Sequence, residues 1–218
     1  MTAAVTSRGV SHVSTNDLSP RERIVAGAAE MLGRRGLNAT SIRETAKHAG
    51  APLGSTYHYF PGGKGQLAAE AVRHAGDTVA AGLRRALRQG PVAGLRSYLD
   101  LWRTLLRDSD HRTGCPVLAV SVEEPPAGER PAALEAAAEA FDSWQSLLSA
   151  SLREHGAQPE QAEQLAALTV AAAEGAVAMC RARRTTAALD AVEAQLVPLV
   201  RAATGQGAGE RPGDRSSR

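Results

Sequence analysis

Hydrophobic positions along this chain recur mostly at three- and four-residue intervals, the spacing of one helix face, and seldom at the two-residue spacing of a strand. Ile24, Ala28, Met31 and Leu32 make the first such row. It opens at Ser19-Pro20-Arg21-Glu22, where serine can cap, proline sits at the first helical position and glutamate can reach back to the cap, and it closes at Gly36. Ile42, Ala46 and Ala49 make a shorter row. A second capping box, Ser41-Ile42-Arg43-Glu44, opens it and Gly50 stops it. A third short helix is expected from Pro52 to Tyr59. The pair 41–49 and 52–59, joined at Gly50, has helix-turn-helix dimensions.

After the break at Pro61-Gly62-Gly63, helices are expected over 64–88, 92–107, 117–123, 131–155, 159–184 and 186–203. Pro198 lies inside the last of these and should kink or shorten it. The pattern is all-α, with about nine helices. Residues 1–18 are polar and aperiodic, and 205–218 are rich in Gly, Arg and Ser; both read as disordered. The organisation expected is a disordered arm (1–18), a small helical domain (19–67), a larger one (68–204) and a disordered tail (205–218).

Composition supports this picture. Hydrophobic residues are 43% and charged residues 22% of the 218, enough for a real core. Ala, Leu, Arg, Glu and Gln are plentiful, and their side chains lose little rotamer freedom in a helix. Two cysteines, Cys115 and Cys180, make no disulfide framework, which fits a reduced, cytoplasmic location. The first 18 residues lack the apolar run of a signal peptide. The longest apolar stretch, 165–180, is mostly alanine and is interrupted by Glu174, so it reads as too short and too weakly hydrophobic to span a bilayer. The net charge is only +2, but residues 19–75 carry eight basic against four acidic side chains. A basic N-terminal third suits a phosphate-binding module, although a solvated face looks the same.

The chemistry is concentrated in residues 54–67, Gly-Ser-Thr-Tyr-His-Tyr-Phe-Pro-Gly-Gly-Lys-Gly-Gln-Leu. Gly54 and Ser55 lack bulk, so backbone can come close to a partner there. Tyr57 can reach the same partner with its ring and hydroxyl. Lys64 begins the next helix, and both lysines and helix N-termini favour phosphate. Small residues and one tyrosine presented to a groove, flanked by phosphate contacts, suit DNA.

The run Arg43-Glu44-Thr45-Ala46, Ala49-Gly50, Gly54-Ser55-Thr56-Tyr57-His58-Tyr59-Phe60 and Lys64 resembles the N-terminal domain of the TetR family over about residues 20–67. Three residues stand between Phe60 and Lys64 where that family usually has two. With Gly114-Cys115-Pro116-Val117, this resembles the family's LmrA-like branch. The resemblance implies a homodimeric repressor that binds palindromic double-stranded operator DNA and is released by a small apolar or aromatic effector. It needs no metal or cofactor, and it is not an enzyme. It also implies DNA contacts: Ser41 and Arg43 to phosphate, with Arg43 alternatively reaching a guanine edge; Gly54, Ser55 and Tyr57 to bases; Tyr59 and Lys64 to phosphate; and His58 as a further phosphate contact. Phe60 should be core. Leu53 stands where the family is often polar or basic. Thr45 and Thr56 stand where it usually has larger aliphatics.

The remaining four aromatics pair along helix faces: Tyr98 with Trp102, and Phe141 with Trp144. They are either core or two walls of an internal cavity. On the resemblance, the effector would lie among Tyr98, Trp102, Val117, Leu118, Ser121, Phe141, Trp144 and Met179. Its binding would move the helix starting at Lys64. Glu174 is open to three readings: an anchor for the ligand, an interface charge, or a solvated residue. Cys115 is either a packed hydrophobe or a redox sensor. The row Leu165, Leu168, Ala172, Ala176 and Met179, with Leu189, Val192, Leu196 and Leu199 or Val200 on the next helix, is either a dimer interface or internal core. The six histidines show no metal-ligand spacing. A helical enzyme and a protein-interaction module remain rivals; turnover of a bound ligand would favour the first, and absence of salt-sensitive DNA binding the second.

Overall fold

A computed structural model of the chain describes residues 18–124 and 131–205, and among these the regular structure is nine helices without strands. They are α1 (Pro20–Arg35), α2 (Ile42–His48), α3 (Leu53–Tyr59), α4 (Gly63–Leu87), α5 (Pro91–Asp108), α6 (Pro116–Ser121), α7 (Ala132–Glu154), α8 (Pro159–Arg183) and α9 (Ala187–Ala203). The arm, most of the 124–130 loop and the tail expected to be disordered lie outside the described residues.

The caps explain where the N-terminal helices start and turn. At α1 the capping box is complete: Ser19 Oγ accepts from the Glu22 amide, and Glu22 accepts from the Ser19 amide at 2.8 Å. At α2 only half of the expected box forms. Ser41 Oγ accepts from the Glu44 amide, but the Glu44 carboxylate takes the Ser41 hydroxyl at 3.0 Å and pairs with Arg35. Arg35, arriving from the end of α1, draws the carboxylate away from the backbone. The α2–α3 turn is a Schellman motif: Ala51 N–H donates to the Ala46 carbonyl and Gly50 N–H to that of Lys47. Gly50 has φ +61°, which is why glycine ends α2.

One continuous core runs from α1 to α9. Within the N-terminal part, Ile24, Leu32 and Phe60 are fully buried, and Phe60 is core as expected. Thr45 and Thr56 are buried too, and their hydroxyls bond back to the carbonyls of Ser41 and Pro52 at 2.9 and 3.1 Å. Each satisfies its own polar group locally, so threonine costs little where an aliphatic side chain is usual. Leu53 packs partly against the same core.

α4 runs from the helix-turn-helix into the C-terminal bundle and packs most extensively on α7. Contact is closest at Gly76, where a Cβ would fall 2.7 Å from that of Ala140. The fully buried Trp144 ring then donates Nε1–H to the Gly76 carbonyl at 3.0 Å. On the other side, Arg103 of α5 is nearly buried and clamps α9. It meets Asp190 at 2.9 Å and Glu193 at 2.8 Å, besides Asp100 on its own helix. Burial disfavours its charge, but the three carboxylates outweigh this and raise its pKa.

One expectation is narrowed and one corrected. α9 reaches Ala203 as its spacing predicts, so of the two effects expected of Pro198 shortening does not occur; Pro198 lies on the exposed side, where water can reach the freed carbonyl. α8 has 25 residues and a window of mean hydropathy 1.4, so by length and composition it is long enough to cross a membrane. Half of that window is buried against its helical neighbours, and it carries Glu174 into the bundle interior.

Candidate nucleic-acid interface

The α2–α3 unit turns its chemistry outward. Ser41, Arg43, Glu44 and Lys47 on α2, and Gly54, Ser55, Tyr57 and His58 on α3, are exposed, as is Lys64 in the first turn of α4. Tyr57 is 54% exposed, whereas Thr56 beside it is fully buried. Seven-residue α3 thus uses its core side for anchoring and leaves a large aromatic in water. Gly54 is the more telling residue. It has no positive φ, and a Cβ placed there would meet nothing within 4 Å. Neither backbone nor packing calls for glycine at this position, and its lack of a side chain leaves the backbone open to close approach.

The charges suit phosphate. Arg43, Lys47 and Lys64 form no ion pair among the described residues, and Lys64 only brushes the Asn38 carbonyl at 3.4 Å. Tyr59 is half-buried, with its ring 5.9 Å from that of His58. Ser41 is less free, since its hydroxyl is held by Glu44. Arg43, Gly54, Ser55, Tyr57, His58 and Lys64 therefore share the open surface of α2, α3 and the start of α4.

Comparison with known proteins agrees with this geometry. Residues 24–71 match the model for bacterial regulatory proteins of the tetR family. Residues 91–195 match the C-terminal domain of LmrA/YxaF-like transcriptional regulators. An uncharacterised HTH-type transcriptional regulator of Mycobacterium tuberculosis is 43% identical over 185 residues, covering 83% of this chain and 94% of that one. The chain belongs to the TetR family of transcriptional regulators. The regulator is also 28% identical to the HTH-type transcriptional regulator LmrA of Bacillus subtilis, over 72% of this chain and 84% of that one. A TetR transcriptional regulator from Legionella pneumophila shares the fold with TM-score 0.74 at 21% identity, over 83% of this chain and 97% of that one.

In the C-terminal bundle the four aromatics join into one chain of rings. Phe141 lies 5.5 Å from Trp144, Trp144 lies 6.2 Å from Tyr98, and Tyr98 lies 6.5 Å from Trp102 between centroids. The two helical pairs seen in the sequence touch each other directly. Val117 is fully buried, while Leu118 and Ser121 are half-buried, with the Ser121 hydroxyl donating to the Val117 carbonyl. Met179 does not join this group. It is 46% exposed on the outer side of α8, because it falls next to inward-facing Cys180 rather than in register with it. The expected apolar row on α8 divides likewise: Leu165 and Ala176 are buried, but Leu168 is exposed.

Sequence spacing missed the contacts that tie the helix-turn-helix to the bundle. Gly33 of α1 and Gly114 before α6 meet backbone to backbone, with the Gly114 amide donating to the Gly33 carbonyl at 2.9 Å. A Cβ on Gly33 would fall 2.5 Å from the Gly114 carbonyl oxygen, so only glycine fits. Arg181 of α8 donates to the carbonyls of Gly33 and Arg34, and Glu123 accepts from the amides of Leu37 and Asn38. The end of α1 is thus held by α6 and α8 as well as by α4. α1 carries two glycines, Gly27 and Gly33, and nothing local in the sequence distinguishes the one that makes this contact.

Proposed function

We propose that the regulator is a homodimeric repressor that binds a palindromic operator and is released by a small apolar or aromatic effector. The observation that carries the DNA half is the outward face of α3, where Gly54, Ser55 and Tyr57 stand exposed beside the exposed Lys64. Gly54, Ser55 and Tyr57 meet base edges. Arg43, Ser41, His58, Tyr59 and Lys64 hold the phosphates and set the register. Binding by Ser41 requires its hydroxyl to leave Glu44. One recognition helix of this length gives little affinity alone, so two copies are needed. The exposed Leu168, Met179 and Leu199 on α8 and α9 support a dimer through those helices. Residues 19–67 act as the DNA-binding domain and 68–204 as the effector and dimerisation domain, working in the cytoplasm, where the operator is.

Release follows from the connections. A ligand entering among Tyr98, Trp102, Val117 and Trp144 displaces α5 and α6 from their packing with α4 and α7. Movement of α6 is felt by α1 through Gly114 and Glu123, and movement of α4 directly by α3. The two recognition helices of the dimer then lose the spacing of successive major grooves. Coupling is reciprocal, so operator DNA must weaken effector binding by the same factor. The test is footprinting on the intergenic DNA beside the regulator's own gene, followed by titration with small aromatic compounds. Protection of two half-sites about one helical turn apart, lost on titration, is the expected result. Operator affinity unchanged at saturating ligand would overturn the release mechanism, and a single-copy footprint would overturn the dimer.

A further inference from the structure

Behind the aromatic chain lies a carboxylate that the DNA-binding reading does not use. Glu174, in the middle of α8, is only 3% exposed. Its Oε1 accepts a long hydrogen bond of 3.4 Å from the Tyr98 hydroxyl, and its Oε2 is buried with no partner. Trp102 Nε1, next along the ring chain, is likewise buried and unpartnered. Buried polar atoms in native proteins nearly always have partners, because an unmade bond costs about 1–3 kcal/mol, so an unpaired, buried carboxylate oxygen marks a site with something missing.

The missing group has a definable chemistry. Among the described residues, the titratable side chains acting on Glu174 are Tyr98 from α5 and Cys115 at the start of α6; α7 and α9, which also pack on α8, contribute none. Tyr98 and Cys115 can only be neutral or negative, and burial pushes both well above their ordinary values, so they stay neutral. No cation is supplied from within. Arg181, two turns further along α8, is engaged with the carbonyls of Gly33 and Arg34. The Tyr98 hydroxyl meets the carboxyl, and the Trp102 and Trp144 rings lie 6.5 and 6.2 Å from the Tyr98 ring; the faces of such rings attract cations. Burial holds the Glu174 carboxyl at about 7, so near neutral pH it ionises at little cost when a counter-ion arrives.

Tyr98 also borders open space. A groove of about 400 Å³ lies between α4 and α5, where apolar Val79, Leu83 and Leu101 stand with charged Arg85 and Asp100, and Tyr98 forms part of its wall. The Tyr98 side chain thus has the groove on one side, and its hydroxyl meets Glu174 on the other.

We infer that the effector is an aromatic amine, bound with its positively charged nitrogen on Glu174 Oε2 and its ring among Tyr98, Trp102 and Trp144, and admitted from the α4–α5 groove past Tyr98. This rests on the reading of the bundle as an effector receptor, and names the class of effector.

Three molecules of one shape test it: 1-naphthylmethylamine, 1-naphthylmethanol and 1-naphthoate, titrated into the full-length protein at pH 8 by calorimetry and by tryptophan fluorescence. Both tryptophans of the chain belong to the cluster, so the optical signal reports it directly. The amine should bind at least tenfold tighter than the alcohol, and the carboxylate should bind most weakly. Glu174→Gln should erase the preference for amine over alcohol while retaining the helical circular dichroism and operator binding of the parent. Below pH 7 the proton competes, so amine affinity should fall up to tenfold per pH unit in the parent and stay level in Glu174→Gln. Equal affinity for amine and alcohol, a preference that survives Glu174→Gln, or no binding of any probe at millimolar concentration would each overturn the assignment. Operator release is read separately. Amine binding through Glu174 with operator affinity unchanged leaves the site standing and overturns the release mechanism; operator release by the alcohol alone overturns the site and leaves the release mechanism standing.

Discussion

The α2–α3 unit and the cluster around Glu174 solve opposite problems with the same kinds of residue. In the first, a tyrosine is left in water and a glycine occupies a helix that has room for a side chain. In the second, a tyrosine and a glutamate are taken out of water, with one carboxylate oxygen left unpaired. Both depart from what would stabilise the chain most, and on the readings proposed above each is completed by a partner. They differ in how the partner is announced. A surface site shows itself by what is exposed without reason, a buried one by what is unsatisfied without reason.

The comparison can be broken most forcefully at Trp144, where the structural demand should dominate. Trp144→Ala removes a fully buried ring and its bond to Gly76, and should cost about 3–5 kcal/mol of stability in urea titration. A loss under 1 kcal/mol would mean that the ring chain is loosely packed.

The next effect is the pH dependence carried by Glu174. Its folded-state pKa is raised from 4.5 to about 7, chiefly by burial. The native state therefore holds the proton more tightly than the unfolded chain. The contribution is fully present below about 4.5 and is lost as pH rises through 7, by about 3 kcal/mol in all. Comparing denaturant midpoints of the parent and Glu174→Gln from pH 5 to 8 should show the gap between them shifting in favour of the glutamine form. A constant gap would show that the carboxyl is hydrated.

At the DNA surface the pattern should invert. Tyr57→Ala should leave thermal stability within about 0.5 kcal/mol, since the ring is exposed, yet weaken operator binding by about 1–3 kcal/mol. Lys64→Ala should weaken binding to all sequences alike and lower the slope of log affinity against log salt by about 1. Stability loss without binding loss at Tyr57 would assign it to the core.

The smallest effect is the sharpest discriminator. Gly54→Ala should raise stability by about 0.5–1 kcal/mol, because the site is open and helical, while weakening operator affinity. Gains in both would remove the reason for thinking that a partner approaches there.

Much of this was legible beforehand. Local signals place the helices: the Ser19 and Glu22 capping box, the Gly50 stop, and the apolar rows of α1 and α2 all act within a few residues. The pairings Tyr98–Trp102 and Phe141–Trp144 were also visible, being one turn apart. That the two pairs meet was not visible, since Tyr98 and Trp144 approach only when α5 and α7 fold together. Met179 was misplaced for a related reason. In alanine-rich α8 both sides are apolar, so periodicity cannot say which one faces inward.

By itself, then, the sequence determined the all-helical fold and the outward-facing recognition unit. Both depend on caps, turns and spacing within one or two helical turns, where covalent connection makes neighbours. Only the tertiary structure decided that Glu174 is buried beside Tyr98 and Cys115, that Arg103 gathers carboxylates from α5 and α9, and that Gly33 meets Gly114. These contacts join residues separated by tens of positions, and their energies come from burial and desolvation, quantities that no local pattern contains.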